Sequence, residues 1–191
     1  DESQGWIASD MTLFYPEACL QGIVRMVRQR SPHQMLLVLL EDGTLSIFHA
    51  ESGVSGWTKY VLNNAQIKDI AVISDDNGTD VPYLVVNRVI DGSLVTYLEC
   101  IPNWTEEFEW DYSECTKFFQ FETPTDTLTG LDYLEGQIVH VYDENRYIGT
   151  FTVTDGEIVL SDGTDEGTTE VIDARVGLMH RAVLHTLPPV S

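Results

Sequence analysis

Hydrophobic and polar residues alternate in short runs from residue 22 onward, and glycine, asparagine and aspartate interrupt these runs at close intervals. Alternation with a period of two is typical of strands that bury one face, and Asp-Gly pairs favour tight hairpin turns. The pattern therefore predicts an all-β chain. Its first four strands are expected at residues 22–27, 34–40, 44–50 and 57–62.

Four strands within about 45 residues have the spacing of one β-propeller blade. A second set is predicted at 67–73, 82–89 and 93–100, where the Asp91-Gly92 turn repeats the earlier Asp42-Gly43 turn. Two blades cannot close a propeller. We therefore expect further blades in additional chain, or neighbouring chains that pair with the open strand edges.

The last third of the chain predicts a different domain. Residues 101–127 are acidic, aromatic and rich in loop formers, which is typical of a connection between domains. From 128 to about 187, five or six short strands suit a small closed barrel. The predicted fold is thus incomplete β-propeller-like blades over 1–120, ending in the acidic aromatic connector, followed by a small β-barrel domain over 121–191.

The chain is strongly acidic, with 10 Lys and Arg against 31 Asp and Glu and a formal net charge of −21. Such a surface repels phosphate, so gripping DNA or RNA is not expected. Acidity can serve solubility alone. It also suits a passage through which nucleic acid slides without adhering.

Cysteine usage and hydropathy restrict the class of protein further. Cys19, Cys100 and Cys115 form no CxxC pair, which predicts reduced, structural thiols. The longest apolar run, at 35–40, has the length of a strand and is too short to cross a bilayer, so no membrane partner is expected. The first residue is Asp1 and not Met, which predicts a cleaved product or a piece of a longer protein.

A compact motif, Gly130-Leu131-Asp132-Tyr133-Leu134-Glu135-Gly136, precedes the first strand of the predicted barrel. We expect the two leucines to enter the core and the two glycines to permit tight turns on either side. A structural role is favoured for the motif, over a catalytic role for its glutamate.

No pattern predicts a catalytic, cofactor or metal site with specificity. The sequence lacks HExxH, a G-x-S-x-G elbow, a P-loop and G-x-G-x-x-G. A weak calcium candidate is formed by Asp75, Asp76, Asn77 and Asp80 around Gly78, but the late glutamate of an EF-hand is missing. A solvent-exposed hairpin turn is the favoured interpretation of these residues.

The connector holds an acidic aromatic segment with Trp104, Phe108, Trp110 and Tyr112. Carboxylates beside aromatic rings are able to hold a sugar ring. Docking on a neighbouring subunit is favoured, because Trp and Tyr are common interface anchors.

An ordered set of short motifs resembles the C-terminal part of tail tubular, or nozzle-type, tail-hub proteins of short-tailed bacteriophages and prophages. The set covers most of residues 20–189 and consists of Gly22-Ile23, Pro32, Asp42-Gly43-Thr44-Leu45, Gly56-Trp57, Val89-Ile90-Asp91-Gly92, Tyr97-Leu98-Glu99, the Gly130–Gly136 motif and Val176-Gly177-Leu178. One departure is Tyr133, where the family pattern has His. An aromatic ring there fills a similar space.

The resemblance implies a virion structural protein and no enzyme. It implies a homo-oligomeric ring in the phage tail that contacts neighbouring tail proteins, binds no cofactor and surrounds DNA as a repelled, passing cargo during ejection. The family's members are far longer than 191 residues. The alternative from the residues themselves is a carbohydrate-binding or glycoside-hydrolysing β-propeller fragment that uses Asp/Glu pairs.

Overall fold

The computed structural model describes residues 9–13, 15–51, 54–101, 113–143, 146–160 and 169–180. Regular structure in these residues is β-strand, apart from two short 3-10 turns at Pro16–Cys19 and Asp132–Leu134. The prediction of an all-β chain is confirmed.

The first sheet is an antiparallel meander whose four strands lie in chain order. Its strands are β1 (Ile23–Gln29), β2 (Met35–Leu40), β3 (Leu45–Glu51) and β4 (Val54–Tyr60). The β2–β3 hairpin forms at the predicted Asp42-Gly43 turn, where the Asp42 carboxylate accepts the backbone N–H of Thr44 at 3.0 Å. Gly43 has a φ of 79°, which a glycine adopts without strain.

Three strands follow in the sheet order β5-β6-β7. They are β5 (Ala65–Ser74), β6 (Asp80–Ile90) and β7 (Ser93–Cys100). Burial alternates along β6, as the sequence pattern requires of a strand with one inward face. Asp91 and Gly92 have φ values of 46° and 69°, the combination of a type I′ turn, which matches the twist of a hairpin.

The C-terminal part of the chain forms a second four-stranded sheet in the order β11-β10-β13-β8, and a small ladder pairs β12 with β9. These strands are β8 (Ser113–Thr125), β9 (Thr127–Thr129), β10 (Ile138–Asp143), β11 (Arg146–Thr152), β12 (Glu157–Val159) and β13 (Val171–Met179). The loop-rich connector predicted over 101–127 is therefore wrong for residues 113–125. They pair with β13, so the backbone donors and acceptors expected to face solvent are used in a ladder.

The chain divides into two compact units. The first contains Asp1–Val61, Gln66–Val86 and Cys100–Asn103, and the second contains Leu62–Ala65, Asn87–Glu99 and Trp104–Ser191. The arrangement of the sheets as propeller blades and a closed barrel stays a prediction, as does a domain boundary at residue 120.

The second unit has a continuous apolar core. Its buried members are Ile90, Leu128, Leu131, Leu134, Val139, Val141, Val153, Ile158, Leu160, Val171, Ala174, Val176 and Leu178. Gly177 allows β13 to approach β8 closely, because a Cβ atom there would lie 2.6 Å from the Cβ atom of Ser113.

Candidate functional site

A buried cation lies on the inward face of β6. Leu84, Val86 and Ile90 point inward at alternate positions, and the same alternation makes position 88 inward. Arg88 occupies it with only 1% of its surface exposed. A guanidinium so far from water needs charged or polar partners, since an unpaired buried charge is very costly.

Two glutamates supply these partners. Glu99 accepts both the Nε and Nη2 of Arg88, at 2.6 and 2.9 Å, in a bidentate pair. Glu114 accepts Nη2 of the same guanidinium at 3.0 Å. Burial opposes the charge on Arg88, but the hydrogen bonds and charge of Glu99 outweigh it and raise the pKa of the guanidinium.

Glu114 is itself almost fully buried and its two oxygens accept donors from three directions. The backbone N–H of Asn63 lies 3.2 Å from both oxygens, and Nδ1 of His180 lies 2.8 Å from Oε1. The backbone oxygen of Asn63 in turn accepts Nη1 of Arg88 at 3.2 Å. We call Asn63, Arg88, Glu99, Glu114 and His180 the Arg88 network.

Cys115 borders this network, with its Sγ 3.4 Å from Oε1 of Glu99. Burial, followed by the negative charge of Glu99, raises the pKa of the Cys115 thiol to about 12. A thiol held in its neutral form is a poor nucleophile and a poor metal ligand. The environment therefore favours a structural role for Cys115.

We expect thiol reagents to distinguish Cys115 from the exposed Cys100 in the folded protein. At pH 8 a thiol with a pKa near 12 is ionised in roughly one molecule in ten thousand, so alkylation of Cys115 should be at least about a hundredfold slower. Peptide mass spectrometry after timed iodoacetamide treatment measures both rates. Similar rates in the native protein would contradict this description of the network, and urea should abolish the difference.

The Arg88 network connects strands β6, β7 and β8 with His180, which follows β13. Its charges bond to one another inside the second unit, and the described residues contain no group of three or more His, Cys, Asp and Glu placed to hold a metal. An open hollow of about 580 Å³ lies elsewhere on the same unit. It is lined by Asn64, Val89, Asp91, Gly92, Gly136 and Gln137, none of which contributes a side chain to the network.

The Gly130–Gly136 motif lies between β9 and β10 and contributes two leucines to the core of the second unit. Leu131 and Leu134 have no exposed surface and lie in the core of the second unit. Gly130 and Gly136 have φ values of 72° and 70°, in the region that favours glycine. The motif thus places two leucines in the core within a single 3-10 turn.

Glu135 fixes this motif onto the hairpin between β11 and β12. Its Oε1 accepts the backbone N–H of Asp155 at 3.1 Å and its Oε2 accepts that of Gly156 at 2.8 Å. The backbone N–H of Leu131 donates to the oxygen of Gly156 at 2.8 Å. One carboxylate therefore satisfies both donors of a type I′ turn, whose Asp155 and Gly156 have φ values of 53° and 71°.

Glu135→Ala should lower the free energy of unfolding by about 1–3 kcal/mol, because two turn N–H groups lose a charged acceptor. Glu135→Gln keeps one acceptor oxygen and should cost less. The matched control is Glu157→Ala in the same hairpin, where an exposed side chain should change stability by less than about 0.5 kcal/mol. Urea unfolding followed by circular dichroism provides the comparison, and equal midpoints for the two alanine variants would rule out the clamp.

Tyr133 uses its ring and its hydroxyl inside the second unit. The hydroxyl donates to the oxygen of Cys115 at 3.1 Å, and the hydroxyl of Tyr97 donates to the backbone oxygen of Tyr133 at 2.7 Å. The two rings meet edge to face with centroids 6.3 Å apart. Burial raises the pKa of Tyr133, which keeps the phenol protonated as a donor.

The weak calcium candidate around Gly78 forms a turn between β5 and β6. Oδ1 of Asp75 accepts the backbone N–H groups of Asn77 and Thr79 at 2.9 and 2.8 Å, and the backbone oxygen of Asp75 accepts Gly78. Asp80 is buried, and its carboxylate accepts the Ser74 hydroxyl and the backbone N–H of Arg30. These hydrogen bonds, led by that from Ser74, lower the pKa of Asp80. Asp76 is exposed in the same turn.

The predicted interface residues Trp104, Phe108, Trp110 and Tyr112 lie outside the described residues. In the part of the chain that the structure describes, no helix has the length and apolar character needed to span a membrane. Comparison of the sequence with known protein families and with curated proteins finds no match.

Proposed function

We propose that the chain is a structural segment of the tail nozzle or tail hub of a short-tailed bacteriophage. In this proposal copies assemble as a ring around the DNA passage, with propeller-like blades followed by a small barrel. The ordered motifs between residues 20 and 189 support it, and so does the all-β fold that carries them.

The observation that carries a structural role is the use of charge in the second unit. The side chains form hydrogen bonds with one another at donor–acceptor distances between 2.6 and 3.0 Å: Arg88 with Glu99 and Glu114, and His180 with Glu114. Glu99 and Glu114 share a guanidinium, so they lack the separate acid and base roles of a glycosidase pair. We propose that this buried ionic network favours one register of the strands that it joins.

The charge of the whole chain supports a passage for DNA. A net charge of −21 on each copy is multiplied by the number of copies in a ring, and field lines of one sign converge in a narrow channel. DNA would be held away from such a wall. Because the repulsion acts through solvent, it should weaken as the Debye length falls from about 10 Å at 0.1 M salt to about 3 Å at 1 M.

Electron microscopy of the purified chain tests the proposal directly. We expect rings with an axial opening, and no retention of duplex DNA in a gel-shift assay at low salt. Compact single copies at every concentration, or DNA binding that is lost steeply with salt, would overturn it. A glycan array and a panel of glycoside substrates should both be silent, whereas a positive result would favour the carbohydrate alternative.

A further inference from the structure

The outward face of the second four-stranded sheet carries a row of large side chains. Val141 of β10 is fully buried in the core, so Tyr142, the next residue, faces the opposite side of the sheet. Tyr142 lies opposite Tyr147 on β11 and opposite Arg175 on β13. Arg175 in turn lies opposite Phe118 on β8. We call these four residues, Tyr147, Tyr142, Arg175 and Phe118, the aromatic row.

The tyrosine end of the aromatic row is a continuous surface of rings. The ring centroid of Tyr147 lies 5.3 Å from that of Tyr142 and 5.6 Å from that of His140. Burial lowers the pKa of His140, which favours its neutral imidazole at pH 7. Tyr147 is 50% exposed, and Phe118 at the other end of the row is 58% exposed. Large apolar side chains exposed together on one face favour a partner that covers them.

The spacing of the row indicates the shape of that partner. Tyr142 lies on β10 and Phe118 on β8, with β13 between them, so the two residues are two strand spacings apart, or about 9.6 Å. A polyproline II helix rises about 3.1 Å per residue and repeats every three residues, or about 9.3 Å. Two residues three positions apart in such a helix therefore present their side chains on one side, at the separation of Tyr142 and Phe118.

The residue between the two rings suits the backbone of such a helix. Arg175 lies between Tyr142 and Phe118, and a guanidinium carries five N–H donors. A polyproline II helix has no internal hydrogen bonds, so its backbone carbonyls accept donors from a partner. Proline-rich segments dock on aromatic surfaces in this conformation, because the helix is already formed and loses little entropy on binding.

The charge of this part of the chain restricts the partner further. Residues 113–180 hold 14 Asp and Glu against three basic residues, Lys117, Arg146 and Arg175. This excess repels a phosphate backbone, which disfavours the stacked bases of a nucleic acid as the ligand of the row. It attracts a peptide that carries Lys or Arg. The complementary partner is therefore a basic segment rich in proline.

We propose that the aromatic row binds a proline-rich, basic segment of another protein in the polyproline II conformation. Two prolines three residues apart pack on Tyr142 and Phe118, and Arg175 donates to a backbone carbonyl between them. Lys or Arg beside the prolines faces the acidic surface of the second unit. This contact goes beyond the proposed function, because it does not require a ring of copies.

Two short peptides of identical composition test this contact. Each begins with two lysines and continues with prolines and alanines. The matched peptide has a proline at every third position, and the mismatched peptide has no two prolines three positions apart. Titration into the ¹⁵N-labelled full chain, followed by NMR at about 0.1 M salt, should show saturable binding of the matched peptide that weakens at about 1 M. The mismatched peptide should bind at least about fivefold more weakly.

A pair of variants on the same face locates the site. Phe118→Ala removes one of the two proline contacts and should weaken binding of the matched peptide by at least about fivefold. The matched control is Ile138→Ala, an exposed position on the same face of β10 that lies four residues before Tyr142, about 13 Å along the strand. It should leave binding within about twofold. Slow alkylation of Cys115 in both variants verifies that the second unit is folded.

Three results would each overturn the proposal: equal binding of the two peptides, equal effects of Phe118→Ala and Ile138→Ala, or no binding by the matched peptide. Single-stranded DNA and a soluble glycan serve as the other probes of the row. If Phe118→Ala weakened the binding of either one while neither peptide bound, the row would be a site for that class of ligand and not for a proline-rich segment.

Discussion

Leu134→Asp is expected to unfold the second unit. Leu134 has no exposed surface and lies among the aliphatic side chains of that unit's core, where a carboxylate would have no partner. The loss of apolar burial and the cost of an unpaired charge together should exceed about 4 kcal/mol, a large share of the stability of a domain this size.

The matched control is Leu98→Asp on β7. Leu98 belongs to the same unit but is 72% exposed, so the identical substitution should change stability by less than about 0.5 kcal/mol. Alkylation of Cys115 reports the outcome, because this thiol is protected only while the second unit is folded. If Cys115 were as slow to react in Leu134→Asp as in Leu98→Asp, the inward position of the motif would be wrong.

Arg88→Met is expected to cost about 3–5 kcal/mol, because it leaves two carboxylates in the interior without their shared cation. Arg146→Met is the control. Arg146 forms an exposed pair with Asp143 at 2.8 Å, and such pairs are worth about 0–1 kcal/mol. Urea unfolding of both variants measures the difference, and similar midpoints would refute a stabilising network.

A triple variant tests the reason for that loss. Replacing Arg88 with Met and both Glu99 and Glu114 with Leu removes the charges together, and well-packed apolar groups often match a buried ionic network in stability. The triple variant should therefore recover most of what Arg88→Met loses. A triple variant less stable than Arg88→Met would show that the cost is set by packing or by the hydrogen bonds of Glu114 to Asn63 and His180, and not by the unpaired charges.

The strands and turns were predictable because their causes are local. Asp91-Gly92 and Asp155-Gly156 adopt positive φ values that few other residue pairs accept, so each Asp-Gly dipeptide predicts its hairpin turn. The burial of Leu131 and Leu134 follows in the same way from a short motif between two glycines. Strand β8 was missed because Pro124 and its many polar residues resemble a loop, while its pairing depends on β13, far along the chain.

The Arg88 network was not predicted, because its members are distant in sequence and each looks like an ordinary surface residue. A signal was nevertheless present. Alternation along β6 places Arg88 on the face of Leu84 and Val86, and alternation along β7 places Glu99 on the face of Val95 and Tyr97. A cation and an acid on inward faces of consecutive strands predict a buried pair. The contributions of Glu114 and His180 require the tertiary fold.

The sheet order β11-β10-β13-β8 determines when each strand can pair during synthesis of the chain. The strand that joins the two halves of this sheet, β13, is the last of them to be synthesised, so β8 emerges long before its neighbour exists. His180, the partner of Glu114, lies 66 positions later in the chain. At a synthesis rate of about 5–20 residues per second, it is added about 3 to 13 s after Glu114. During that interval β8 lacks the strand with which it pairs, and the newborn chain is most vulnerable to aggregation until β13 has been synthesised.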